Sequence, residues 1–256
     1  MMKSNLLLAL LCSMLAGAPP LAVAAAEGTA VGVDPDAVAR RGSADRTLVV
    51  GADISVGERI VTGPSGRVQV LFADQTRLVV GPGSALLIES YLMNGDAADK
   101  FAINALAGTF RFISGNSPKS AYSIETPTAA IAVRGTKFDV SVAGDATRVL
   151  LFEGALQLCH AGSCVELTER CELGSTGPGG SSQATWGDAG RGGFLGGFPL
   201  ANVQSTLEPG FRVSGAQACL APPPGNQPQN LADPGAESSS YSTNPPPPNP
   251  NSLLGN

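Results

Sequence analysis

Between about Thr29 and Leu173 the chain is written in short apolar bursts separated by turn formers. In "RVQVLF", Val68, Val70 and Phe72 fall on one side of an extended backbone, and Arg67, Gln69 and Leu71 on the other. That period of two belongs to a half-buried strand. "TRLVV" repeats it less cleanly. "KFAINALAGTFRFISG" puts Phe101, Ile103 and Ala105 on one face, breaks at Ala107-Gly108, and resumes with Phe110 and Phe112. Breakers recur at short intervals: Gly63-Pro64, Gly66, Gly81-Pro82-Gly83 and Asn94-Gly95-Asp96. "ALLIESYLM", "AYSIETP", "TRVLLFEGALQLC" and "CVELTER" supply further strand-like runs. With no long amphipathic helical pattern, the chain reads as all-β, a compact sandwich or roll or a short β-solenoid of many short strands. A faint echo, Ile60-x-Thr62 before Val68-x-Val70 and Ile124-x-Thr126 before Ile131-x-Val133, fits two stacked half-similar units and fits chance equally well.

One stretch breaks the pattern. "TPTAAIAVRGTKFDVSV", Thr126 to Val142, is apolar and β-branched but carries Arg134-Gly135-Thr136 in its middle. We read "TPTAAIAV" as one buried strand and "KFDVSV" as the next, with Phe138, Val140 and Val142 on a common face. Arg134-Gly135-Thr136 is then the corner between them. Gly135 supplies backbone freedom, and Thr136 can bond locally to the turned backbone. Arg134 can lie across a neighbouring strand with its fork on carbonyls or on Glu125 or Glu153. The corner is thus expected to be a structural latch.

The ends read differently. Residues 1–26 have one early cation, Lys3, an apolar run from Leu6 to Leu11, and Ala24-Ala25-Ala26 as a cleavage site, which together read as a secretory signal. Cys12 follows Leu11 where lipid processing wants a small residue. No later run approaches a transmembrane length. These features place the protein in the periplasm or outside the cell. Residues 27–173 form the expected β domain. Residues 174–220 read as a Gly-rich linker, "GSTGPGGSSQ", followed by a segment that docks through Trp186, its phenylalanines and Cys219. Residues 221–256, rich in Pro, Asn and Ser, read as a disordered tail. Without residues 1–26, 15 basic side chains face 21 acidic ones, and nothing basic clusters. Nucleic acid and anionic lipid are therefore poor partners.

Outside the signal four cysteines remain: Cys159, Cys164, Cys171 and Cys219. An even number in an exported chain points to disulfides. Cys159 and Cys164 flank "HAGS", a hairpin-like loop that could bring them together and leave Cys171 for Cys219. The competing use is a metal site from "CHAGSC" and Cys171, but His160 and Cys159 are adjacent and point to opposite faces of a strand. No metal and no cofactor are expected.

Catalytic patterns are also missing. His160 is the single histidine, which leaves little for a hydrolase triad. There is no G-x-S-x-G elbow and no P-loop, and "GPGSAL" reads as a tight turn. Asp96 and Asp99 in "NGDAADK" lack the oxygen density of a calcium loop. Glu125 and Glu153 read as ion-pair partners for Arg134 or Arg148. Phe72, Phe101, Phe110, Phe112, Phe138 and Phe152 sit at strand positions and read as core.

The order of these elements resembles the FecR-type periplasmic domain. An entry into an "I-x-T" strand is followed by an "F-x-D-x-T/S" hairpin (Asp74, Thr76), a "P-x-S" turn (Pro82, Ser84) and a "G-x-x-R" strand (Gly108, Arg111). The signature "T-P-x-A-x-x-x-V-R-G-T-x-F" comes next, through Thr126, Pro127, Ala129, Val133, Arg134, Gly135, Thr136 and Phe138, and then Glu153-Gly154. The resemblance spans about Gly28 to Leu173. It implies a β fold, an exported compartment and no catalysis. The family's name-giving members are membrane-anchored regulators of a cytoplasmic sigma factor, a plan that a cleavable signal without a membrane span does not fit. The expected role is a non-enzymatic sensor or adaptor that binds a protein of the cell envelope. The alternative is a glycan or peptidoglycan module, for which Trp186, Tyr91 and Tyr122 are the candidate surface aromatics.

Overall fold

The computed structural model describes residues 26–221. The secretory signal expected over 1–26 and the tail expected over 221–256 lie outside the described residues, apart from Ala26 and Ala221 at the boundaries. In chain order the strands are β1 (Gly28–Asp34), β2 (Ala37–Arg41), β3 (Ala44–Thr47), β4 (Asp53–Ile54), β5 (Arg59–Thr62) and β6 (Arg67–Phe72). They continue with β7 (Arg77–Val80), β8 (Ala85–Asn94), β9 (Ala97–Ile113), β10 (Tyr122–Thr126), β11 (Ala129–Val133) and β12 (Lys137–Ala143). The last are β13 (Ala146–Glu153), β14 (Leu156–His160), β15 (Ser163–Leu167), β16 (Leu173–Gly177) and β17 (Gly180–Ala184).

The strands form two layers of a sandwich that share one strand. One sheet runs β4-β1-β6-β7-β9-β12-β13-β16-β17. The other runs β3-β2-β5-β8-β9-β10-β11-β14-β15, with β9–β10 its parallel pair. β9 belongs to both. Its residues up to Ala107 pair with β8, and from Gly108 onward they pair with β12 and β7. The break expected at Ala107-Gly108 is this change of sheet. Gly108 has φ +100°, and a Cβ there would lie 2.2 Å from Ser84 Oγ. Ser84 Oγ instead accepts the Thr109 N–H at 2.9 Å, so the "P-x-S" turn holds the kink.

The inner faces meet in one core. Val68, Val70, Phe72, Leu78, Val80, Phe110, Phe112, Phe138 and Val140 come from the first sheet, and Ile60, Leu86, Ile88, Ile103, Ile124, Ile131 and Leu158 from the second. Aromatic rings fill its centre, with Phe72 edge-on to Phe101 at 4.7 Å between centroids and Phe112 tilted against Phe138 at 5.5 Å.

The outer face of the first sheet is covered as well. α1 (Pro199–Asn202) and short 3-10 turns over residues 189–220 lie across it. Phe198, Ala201, Val213 and Ala216 pack on Ile113, Leu150, Phe152 and Leu173, while Leu200, Leu207 and Phe211 pack on Val79. Cys171 is bonded to Cys219 beneath this cap. "TRLVV" and "TRVLLF" blur their alternation for this reason: Leu78, Val80, Val149 and Leu151 face the core, and Val79, Leu150 and Phe152 face the cap. We call this the capped sheet and its partner the open sheet.

Two expectations are corrected. "GSTGPGGSSQ" is the β16–β17 hairpin of the capped sheet, not a linker, and β16 pairs with β13. Leu173 and Thr176 are buried there, and a Cβ on Gly174 would come within 2.9 Å of Leu158 and Leu167. Close packing, not flexibility, explains that glycine. The sequence echo is not a structural repeat either. β5 and β6 lie in different sheets, whereas β10 and β11 form one hairpin.

Candidate functional site

The signature stretch departs from the expected single strand at its start. Pro127 has no N–H to give to a ladder, and Thr126-Pro127-Thr128 turns the chain from β10 into β11. The two threonines fasten this turn to the opposite sheet. Thr126 Oγ1 lies 2.7 Å from Thr147 Oγ1, and Thr128 Oγ1 lies 2.8 Å from Thr147 Oγ1 and 3.1 Å from Thr176 Oγ1. His160 closes the same place, its Nδ1 2.5 Å from the Thr128 carbonyl. A carbonyl can only accept, so Nδ1 carries the proton and donates it.

Arg134-Gly135-Thr136 is the corner by which the chain leaves the open sheet at β11 and enters the capped sheet at β12. Gly135 has φ +75°. A Cβ on Gly154 would lie 2.0 Å from the Gly135 carbonyl oxygen, so the "E-G" element and the corner require each other. Thr136 donates its N–H to Ser114 Oγ at 2.9 Å and accepts from Ser114 N–H at 3.0 Å. Phe138 is fully buried. Arg134 does reach across a neighbouring strand, but onto Glu166 of β15 at 3.0 Å, not onto Glu125 or Glu153. β11 pairs with β14, and β15 lies just beyond, so the side chain spans β14. Glu153 is taken by Lys137 at 2.6 Å, and Arg148 lies over the Phe194 ring at 5.0 Å. The Arg134 side chain is 58% exposed, and such a pair contributes about 0–1 kcal/mol. Glycine packing, Thr136 and Phe138 hold the corner; Arg134 adds little to it.

Two buried carboxylates stand out that the sequence reading left without roles. Asp74 is fully buried at the β6–β7 turn. Its Oδ1 accepts from Thr76 N–H at 3.0 Å and Tyr91 O–H at 3.1 Å. Its Oδ2 accepts from Ser117 at 2.5 Å, Thr76 Oγ1 at 2.8 Å and Tyr122 at 3.1 Å. Burial pushes both phenols above the ordinary tyrosine range. The second carboxylate, Asp139, lies on the outer face of the capped sheet. Arg111 Nε and Nη2 donate to its two oxygens at 2.6 and 2.8 Å, and both residues are buried. Burial pushes the Asp139 carboxyl upward, and Arg111 opposes that push. Arg111 also lies 5.3 Å from the Phe152 ring centroid. The cap completes its shell through Gln204 Oε1 at 2.8 Å. Gln204 in turn receives Val213 N–H and donates to Leu200 O, at 2.8 and 2.6 Å. The crevice beside the pair, lined by Thr109, Asp139, Phe198 and Leu200 among others, is too narrow to admit a water-sized molecule. Small-ligand pockets usually run to several hundred Å³.

The sequence signal for these centres was faint but present. Asp74-x-Thr76 is a local side-chain-to-backbone turn pattern. Arg111 and Asp139 are the polar members of "FRF" and "FDV", where an otherwise apolar strand points its charge outward. Cys159 and Cys164 face each other across β14–β15 and are bonded. Among the described residues no group of three His, Cys, Asp or Glu side chains is placed to hold a metal ion.

Residues 58–157 match the model of the FecR protein family. They form a FecR domain. The match begins just ahead of β5 and ends within β14, so it contains the corner, Asp74 and the Arg111–Asp139 pair, and excludes the cap. Two crystal structures of a candidate anti-sigma factor from Parabacteroides distasonis are similar at 15% and 16% identity, with TM-scores of 0.42 and 0.41. Each alignment covers 54% of this chain and 63% or 62% of the other. The chain thus spans less than two thirds of those proteins. No curated protein matches it.

Proposed function

We propose that the chain is an exported module that binds another protein in the periplasm or at the cell envelope, as sensor or adaptor, without catalysing a reaction. The FecR domain over residues 58–157 carries this reading. The polar centres support it. Asp74, Arg111 and Asp139 are closed inside the fold, and His160 is committed to a backbone carbonyl, so none is placed to meet a substrate. Two disulfides fit an oxidising compartment. No helix among the described residues is long and apolar enough to cross a membrane. Within the domain Thr126, Pro127, Gly135, Thr136 and Phe138 serve the fold, and Arg134 steadies the β14–β15 hairpin from outside.

A protein partner is favoured over a glycan because the aromatics a sugar would stack on are spent elsewhere. Tyr91 and Tyr122 are buried in the core. Trp186 is half-buried and donates its Nε1–H to the Ala221 carbonyl at 2.8 Å. Cross-linking in intact envelopes, followed by mass spectrometry, tests the assignment. Recovery of one protein partner is expected. Co-sedimentation with cell wall and no cross-linked protein would favour the glycan module, and reproducible turnover on a hydrolase panel would overturn the non-catalytic reading.

A further inference from the structure

The two disulfides sit in opposite surroundings. Cys171 and Cys219 are both fully buried under the cap. Cys159 is half-buried and Cys164 exposed, on the outer side of the β14–β15 hairpin whose inner side carries Leu158, Val165 and Leu167. β15 is the last strand of the open sheet. Its outer edge is joined to β17 by serine hydrogen bonds, Ser181 Oγ donating to Ser163 O at 2.8 Å and Ser181 N–H reaching Ser163 Oγ at 3.4 Å. The hairpin lies at and beyond the end of the FecR match, yet it clasps the signature strand. Ala130 pairs with Cys159, His160 holds the Thr128 carbonyl, and Glu166 takes Arg134.

We propose that the Cys159–Cys164 disulfide is a thiol-exchange site, open to small thiols, whose reduction loosens β15 and frees Arg134 while the rest of the sandwich stays folded. An incoming thiolate attacks the exposed Cys164 sulfur. A new S–S bond forms to Cys164, and Cys159 leaves as thiolate and takes a proton from water. A second thiolate attacks the sulfur of the bound thiol, which releases Cys164 as thiolate and the oxidised thiol as its disulfide. Two thiols lose two electrons and the protein bond gains them. Access selects the site, because the same attack on Cys171–Cys219 requires the cap to open first.

The test treats the full chain with graded reduced glutathione, traps free thiols by alkylation, and maps them by mass spectrometry beside hydrogen exchange. The expected result is a glutathione adduct on Cys164 at low thiol, then alkylation of Cys159 and Cys164 with Cys171–Cys219 intact. Amides of β15 should exchange about tenfold faster, with β9 and β12 unchanged. Simultaneous reduction of both bonds, prior loss of Cys171–Cys219, or unchanged exchange in β15 would overturn the proposal. The full-length Cys159→Ser, Cys164→Ser variant guards against a merely structural bond. It should fold with β9 and β12 protected and β15 fast; if it fails to fold, the proposal falls.

Discussion

Asp74 and Asp139 are both buried carboxylates of one sandwich, and they are kept in opposite ways. Asp74 spreads its charge over five hydrogen bonds from Thr76, Tyr91, Ser117 and Tyr122, all of them neutral donors. Asp139 relies on one cation, Arg111, whose own shell is completed by Gln204 of the cap. The first centre is sealed within the FecR domain. The second couples that domain to a segment outside the family match. A charge satisfied by several neutral donors needs no counter-ion, whereas a paired charge brings a cation whose remaining donors need acceptors of their own beneath the cover.

The sharpest test of this contrast is Asp139→Ala. It strands the Arg111 guanidinium in an apolar setting and should cost about 3–5 kcal/mol in urea unfolding. Replacing the pair together, Arg111→Met with Asp139→Leu, should recover most of that loss. If the double variant is as unstable as the single one, Asp139 is not held chiefly by its cation. Asp74→Asn should cost less, about 1.5–3 kcal/mol, because the amide nitrogen meets hydroxyl donors. Gln204→Leu should cost about 1 kcal/mol. A double-mutant cycle then separates the centres: Gln204→Leu should be additive with Asp74→Asn and non-additive with Asp139→Ala. Coupling between Gln204 and Asp74 would erase the distinction. The smallest effect is in alkali. Tyr91 and Tyr122 are held neutral by burial, so as pH rises the unfolded chain loses its tyrosine protons first, near pH 10. Stability present below that pH should fall progressively above it. Melting temperatures followed above pH 9 should show the decline, and Tyr91→Phe should flatten it.

Much of the fold was legible because its signals act between near neighbours. Val68, Val70 and Phe72 alternate with Arg67, Gln69 and Leu71 and face the core as read. Gly108 marked a real break, and Gly135 marked a real corner. The errors have a common origin. Glycine in "GSTGPGGSSQ" suggested freedom, but Gly174 is glycine because Leu158 and Leu167, from β14 and β15 of the other sheet, leave no room for a Cβ. Arg134 was offered Glu125 and Glu153, yet its partner Glu166 could be named only once β15 was known to lie beyond β14.

By itself the sequence determined an all-β chain, the places where it turns, and the FecR signature, since alternation, glycine and proline act through the local backbone. Tertiary structure alone decided that the signature corner joins two sheets, that the apolar backs of β7 and β13 meet residues 198–219, and that Arg111 and Asp139 share one buried pair. Those outcomes depend on contacts between residues far apart in the chain, and no local pattern encodes which distant segment will supply the cover.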